Sequence, residues 1–176
     1  IIDFAPWDKT WVDAFYDAEV RKMDERLFGR LRRLLAELDL DDDTVLIVSA
    51  DHGEELLEDG LIGHASTYKE GRLYEEVARI PLIVRAPGRL AAGGRPPAVV
   101  QAIDVMPTVL ELTGTPVPAD VQGRSLVPLL RGESLPARPA FLETSAGGYG
   151  ADPEQYSRRT RAITQARWKL IWYTPG

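Results

Sequence analysis

From residue 11 to residue 38, apolar side chains recur at intervals of three and four. Val20, Met23, Leu27, Leu31, Leu34 and Leu38 make one stripe, and arginines and glutamates fill the opposite face. That period predicts a long amphipathic helix, ended by the aspartate-rich residues 39–43. The pattern then changes. Residues 44–49 are an apolar, β-branched run, the mark of a buried strand in a parallel sheet. Leu82-Ile83-Val84 repeats it after Arg79-Ile80-Pro81 and is stopped by Ala86-Pro87-Gly88. A third short strand is expected at 99–103.

Short helices are expected at 54–57, with acids in the first turn, at 73–77, and at 125–130 before Gly132. Residues 105–112 read as a helix with Asp104 as N-cap, Pro107 in its first turn and Gly114 as its stop. After Pro136 the side chains alternate. Strands at 140–143, 161–166 and 168–172 are expected to pair antiparallel, with a soft loop at 145–157 and with Trp168 and Trp172 packed beneath the small sheet.

Composition narrows the classes. The chain has 176 residues, 44% of them hydrophobic, enough for one domain with a core. Net charge is −6 and no basic run stands out, which argues against nucleic acid as a partner. The absence of cysteine excludes disulfides, thiolate metal sites and a cysteine nucleophile within these residues. It fits cytosol and periplasm alike. No apolar run approaches the roughly 20 residues that span a bilayer. No signal peptide is visible, and both ends read as cut.

The chemistry concentrates after the first strand, at Asp51-His52-Gly53-Glu54. Open α/β sheets bind ligands beyond the carboxyl ends of their strands. A carboxylate beside an imidazole suits a divalent cation. The plainer alternative is that Asp51 caps a helix and His52 fills a corner. A polar, glycine-bearing loop at 59–72 carries His64 and Lys69. Glu54 and Glu55 read as helix-start acids, and Arg79 as a partner for Glu75 or Glu76.

Several segments in order resemble the C-terminal half of a sulfatase in the alkaline-phosphatase-like superfamily. They run Tyr16-Asp-Ala-Glu-Val20 with Asp24, Val48-Ser-Ala-Asp-His-Gly-Glu54, Gly63-His64, Leu73-Tyr-Glu-Glu76, and Arg79-Ile-Pro-Leu-Ile-Val84 with Pro87-Gly88. Residues 103–114, Gly123-Arg-Ser-Leu-Val-Pro-Leu-Leu130 and Arg167-Trp-Lys-Leu-Ile171 complete the series. The resemblance implies an α/β sandwich of helices around a mostly parallel sheet, with a small C-terminal antiparallel sheet. Residues 1–135 would belong to the catalytic core, and 136–176 would begin a small C-terminal subdomain.

What the family does is implied by the same resemblance. Its members hydrolyse sulfate esters, on small molecules or glycans. The nucleophile is a formylglycine made from Cys or Ser in a Cys/Ser-x-Pro-x-Arg motif. One divalent cation, usually calcium, is held by two N-terminal aspartates and a later Asp-Asn or Asp-His pair. Asp51 and His52 match the later pair. An imidazole is less usual for calcium, so manganese and zinc stay open. A coordinating His52 should have an acceptor for its other ring nitrogen. His64 would contact the sulfate or protonate the leaving alkoxide. Lys69 is the other candidate for that role, against a solvated surface lysine.

The N-terminal aspartate pair, the nucleophile motif and its arginine find no counterpart in the series. The chain is therefore expected to carry half a site, to be inert alone and to expose a sheet edge open to homodimerisation. The family frame favours a periplasmic or secreted setting. Phosphoethanolamine and phosphoglycerol transferases, with a Thr nucleophile, phosphonate monoesterases and a non-catalytic truncated homologue are the alternatives. Two-zinc phosphatases and mutases need more than the two histidines present.

Overall fold

In the computed structural model, which describes residues 5–64, 72–145 and 159–173, the apolar stripe becomes a helix. Lys9–Met23 (α1) and Gly29–Glu37 (α2) are joined through one π-helical turn, Asp24–Phe28. The joints keep right-handed helical angles, so the chain runs on without a break. No residue of these three segments is buried. Val20 remains 49% and Leu27 56% exposed.

The helix is held by its first turn. Lys9 Nζ donates to Asp13 (2.9 Å), to the Leu56 carbonyl (3.0 Å) and to Glu58 (3.1 Å). The Asp13 and Glu58 carboxylates hold the ammonium pKa above its ordinary value. Burial pushes Glu58 up, yet the backbone amides of Glu58 and Leu56, together with Lys9, bring it below the ordinary carboxylate value.

Leu46–Ser49 (β1) pairs with Leu82–Arg85, in register Ile47 to Val84 and Val48 to Ile83. Glu55–Leu56 (β2) pairs with Ile62–Gly63 (β3). Glu75–Ala78 forms one helical turn (α3) before Leu82–Arg85 (β4). Ala140–Ser145 (β5), Arg159–Gln165 (β6) and Trp168–Tyr173 (β7) make the small meander expected from their alternation.

Every ladder among the described residues is antiparallel, so the mostly parallel sheet expected from the sequence is not found in them. A parallel neighbour needs a crossover, usually a helix. Between β1 and β4 the described chain makes a two-stranded ribbon and a single helical turn instead. It re-enters beside β1 running the other way.

Two further expectations change. Residues 54–57 are not a helix, because Leu57 (φ 69°) and Gly60 (φ 74°) fold the chain back so that β2 meets β3. Residues 99–103 do not form a strand. The Gln101 side chain instead accepts from the Phe141 amide (3.1 Å), and Ala102–Asp104 close a 3-10 turn.

Val105–Leu112 (α4) is the predicted helix, and Gly114 ends it at φ 72°. Val127–Leu130 (α5) follows. Ala86, Leu112 and Val127 form a buried apolar cluster, flanked by Val45, Val84 and Leu90, and Leu73, Val77, Leu126, Leu129, Ala140 and Ala162 are also buried. Trp168 and Trp172, expected under the small sheet, are 71% and 68% exposed. Strand alternation sets them with Leu170 on the uncovered face of β7, opposite Lys169 and Ile171.

Asp104 organises the region beyond β4. Its side chain is 0% exposed and caps no amide of α4. It accepts from the amides of Gln101 (3.0 Å) and Arg124 (2.9 Å) and from the Arg138 guanidinium. Thr108 Oγ1 donates to the Asp104 carbonyl (2.6 Å) and accepts from the Leu126 amide (2.9 Å). Gly123 permits the close approach, since a Cβ there would stand 1.9 Å from the Ile103 carbonyl oxygen. Lys169 joins β7 to α3 through Glu75 (2.8 Å). Glu75 thus takes Lys169 as its partner, where Arg79 was expected.

Candidate active site

β1 delivers its last residues to an open end of the molecule. Ser49 Oγ donates to the Pro81 carbonyl (2.9 Å), which holds the ends of β1 and β4 together. The next turn carries Asp51 and His52. Gly53 then donates its amide to the Val77 carbonyl (2.8 Å). A Cβ on Gly53 would meet the Glu76 carbonyl oxygen at 1.9 Å. Only glycine lets the chain pass so near α3, and that contact fixes where the two preceding side chains stand.

The Asp51 side chain is 90% exposed, and its Oδ1 accepts from the His52 amide (3.0 Å). His52 Nδ1 lies 2.7 Å from the Gly53 carbonyl oxygen. A carbonyl only accepts, so Nδ1 carries the proton. In the neutral ring the lone pair is therefore on Nε2. Nε2 stands 3.8 Å from Asp51 Oδ2. The acceptor expected for a coordinating imidazole is the neighbouring backbone carbonyl. An unprotonated nitrogen and a hard oxygen face one another, which fits a shared divalent cation.

His64 arrives from the far side of the ribbon. Its ring centroid lies 4.5 Å from that of His52, with the planes tilted by 51°. Ligand atoms of His52, Glu54 and His64 all lie within 4.8 Å of one another. Glu54, which reads in sequence as a helix-start acid, stands beside the two imidazoles. The ribbon accounts for the proximity: Glu55 pairs with Gly63 at the end of the ladder, and Glu54 and His64 are the residues that adjoin that last pair. Glu55 is 2% exposed and no helix-start acid either. Lys69 lies outside the described residues. A cleft of about 490 Å³ lined by Asp43, Thr44, Arg89 and Thr113 lies at the opposite end of β1.

The Sulfatase family model matches residues 9–115, and that of N-sulphoglucosamine sulphohydrolase, C-terminal, matches residues 63–175. The chain belongs to the sulfatase family. Mouse (Mus musculus) arylsulfatase K is 32% identical over 171 residues, covering 94% of this chain and 29% of its own length. An N-acetylglucosamine-6-O-sulfatase of Bacteroides thetaiotaomicron is 36% identical over 160 residues, covering 90% of this chain and 27% of that protein. Among solved structures, a phosphonate monoester hydrolase from Silicibacter pomeroyi superposes with a TM-score of 0.69 at 31% identity, over 83% of this chain and 29% of that one. The chain thus spans about three-tenths of the length of its sulfatase relatives. These relatives are hydrolases, and the structural likeness assigns the alkaline-phosphatase-like fold. No helix among the described residues is long and apolar enough to cross a membrane.

One expectation about the family's nucleophile needs correction. The string Ser-x-Pro-x-Arg does occur, as Ser134-Leu-Pro-Ala-Arg138. Its pieces hold the fold together: Arg138 donates to buried Asp104, and Arg124 Nη1 donates to the Pro136 carbonyl (2.5 Å). The string belongs to the Asp104 clamp, not to the end of β1.

Proposed function

We propose that this chain carries part of the one-metal active site of a sulfuric ester hydrolase. Asp51 and His52 hold the cation, calcium being the first choice and manganese or zinc the alternatives. The observation that carries the reading is the pair at the end of β1, where the lone-pair nitrogen of His52 faces Asp51 Oδ2 at 3.8 Å, with the His64 ring beside it. The bound cation would neutralise charge on the sulfate oxygens as a Lewis acid. His64 would contact the sulfate ester and give a proton to the ester oxygen as the nucleophile's oxygen bonds to sulfur and the sulfur–ester oxygen bond breaks, so that the alcohol leaves uncharged. Lys69 is a second sulfate contact in this reading. Gly53 orients the pair by holding the turn against α3.

The substrate class is a sulfate ester of a small molecule or a glycan. The names of the relatives, an arylsulfatase and an N-acetylglucosamine-6-O-sulfatase, support it. In this reading residues 1–135 belong to the catalytic core and 136–176 begin a C-terminal subdomain. The outer edges of β1 and β4 continue into a mostly parallel sheet, and the formylglycine nucleophile comes from polypeptide other than these residues. An edge left unpaired in the isolated chain would favour a homodimer. A second reading, phosphonate monoester hydrolysis, is favoured by the Silicibacter structure, whose likeness reaches 31% identity.

The test is the coding frame upstream of Ile1. A Cys/Ser-x-Pro-x-Arg motif behind an Asp-Asp strand end is expected. A Thr nucleophile there moves the reading to the phosphoethanolamine and phosphoglycerol transferases. A frame that opens at Ile1 leaves a non-catalytic homologue. Turnover of an aryl sulfate by the 176-residue chain alone would overturn the partial-site reading.

A further inference from the structure

We propose that the outer face of the β5–β6–β7 meander is a docking surface for a sulfated glycan chain, separate from the Asp51–His52 pair. The meander has one closed face and one open face. On the closed face Ala140, Thr160 and Ala162 are buried, and Lys169 reaches Glu75 (2.8 Å). Trp168, Leu170 and Trp172 alternate with Lys169 and Ile171, so they point away from α3 and from the turn it holds. The register sets Leu170 across from Ile163, and Ile163 across from Phe141. Leu170 is 66% and Phe141 70% exposed, like the two tryptophans.

Charge selects the occupant. The chain carries −6, yet β6, β7 and the turn between them hold Arg159, Arg161, Arg167 and Lys169 and no acid. The one acid of β5, Glu143, is shared by Arg159 (3.2 Å) and Arg161 (2.7 Å), so a single carboxylate answers two guanidiniums. Both arginine side chains are more than half exposed. Trp172 stands across from Arg161, and the Arg167 guanidinium lies over the Trp168 ring at 5.2 Å. Cations and flat apolar rings are thus interleaved on one surface.

A sulfated sugar chain matches both features. Its ring C–H faces stack on indoles, and its sulfate oxyanions suit the guanidinium fork. Trp168 and Trp172 lie four residues apart on one strand, about 13 Å, a span for an oligosaccharide and not for one sugar. A second copy fits poorly, because a two-fold contact would set the arginines against themselves. The choice of glycan over nucleic acid rests on the sulfate-ester reading above. Docking is measured without turnover, so its failure leaves that reading standing, and a non-catalytic parent leaves this face intact.

Electrophoresis of the 176-residue chain through native gels containing dextran sulfate tests the proposal. The expected result is retardation that salt weakens, with none in neutral dextran and at least about fivefold weaker binding to oligothymidylate. Trp168→Ala, Trp172→Ala and Arg161→Gln should each weaken dextran sulfate binding at least about fivefold, as at the anchors of other interfaces. Trp11→Ala, equally exposed on α1, should leave it unchanged. Absence of retardation, or equal retardation in neutral dextran, overturns the site. Equal or tighter binding of oligothymidylate overturns the glycan and assigns the face to nucleic acid. Unchanged affinity in Trp168→Ala and Trp172→Ala overturns the face.

A measurement on the unmutated chain keeps the test independent of folding. The chain has four tryptophans. With ¹⁵N-labelled indoles, the resonances of Trp168 and Trp172 must shift on addition of dextran sulfate while those of Trp7 and Trp11 stay. Any other pattern overturns the site.

Discussion

Asp51 and Asp104 each close an apolar run, and each reads in sequence as a helix cap. Their surroundings in the fold are opposite. Asp104 is 0% exposed and receives two backbone amides and a guanidinium. Asp51 has a side chain 90% exposed that receives the amide of its own neighbour. An ionised carboxylate offers about four acceptor positions. Those of Asp104 are largely taken up by the fold, whereas those of Asp51 remain open to a ligand. Acceptor capacity left open at the end of a strand separates a site from a scaffold here.

The sharpest way to break this comparison is to remove Asp104. Asp104→Ala leaves a guanidinium and two amides without their acceptor. It should cost about 3–5 kcal/mol, the range for breaking a buried pair, read as a fall in the urea midpoint. Gly53→Ala comes next. Its Cβ falls on the Glu76 carbonyl, so about 2–3 kcal/mol should be lost. The His52 and His64 resonances should move with it, because the turn they stand on must shift.

Asp51→Asn tests the other side of the comparison. Stability should stay within about 0.5 kcal/mol, as at other exposed positions. Cation binding that depends on the Asp51–His52 pair should fall. A large loss of stability in this variant would place Asp51 with the scaffold.

The smallest effect concerns Glu143. Arg161, and more weakly Arg159, hold its pKa below the ordinary 4.5. A depressed folded-state pKa stabilises above the unfolded value and is lost as pH falls through the folded one. Amide protection factors in β5 and β6, taken relative to the intrinsic exchange rate at each pH, should therefore fall slightly below about pH 4.5. Glu143→Gln should remove that slope while leaving the exchange at Asp104 untouched.

Much of the secondary structure was legible because it depends on local period. The stripe from Val20 to Leu38 named a helix, the run before Asp51 named β1, and the alternation after Pro136 named an antiparallel meander. The helix at 54–57 and the strand at 99–103 were misread. Each depends on a partner that a local window does not contain: β3 for the first, Asp104 and Phe141 for the second. The site was legible to the same extent. Asp51, His52 and His64 stood out by residue type and setting. Glu54 did not, because its neighbour is ten residues away and reaches it only through the turn at Leu57–Gly60.

By itself the sequence determined the family, the long helix, β1 and the C-terminal meander, and the position of an Asp-His pair at the end of a strand. Those follow from residue types and short spacings, which the chain carries wherever it goes. The tertiary structure alone decided that β1 runs antiparallel to β4, that the long helix is held at its first turn, and that Asp104 is enclosed while Asp51 is open. It also decided that Glu54 joins two histidines. The physical reason is common to all four. Burial, donor supply and ligand convergence are properties of the space between segments, and that space exists only once the segments have met.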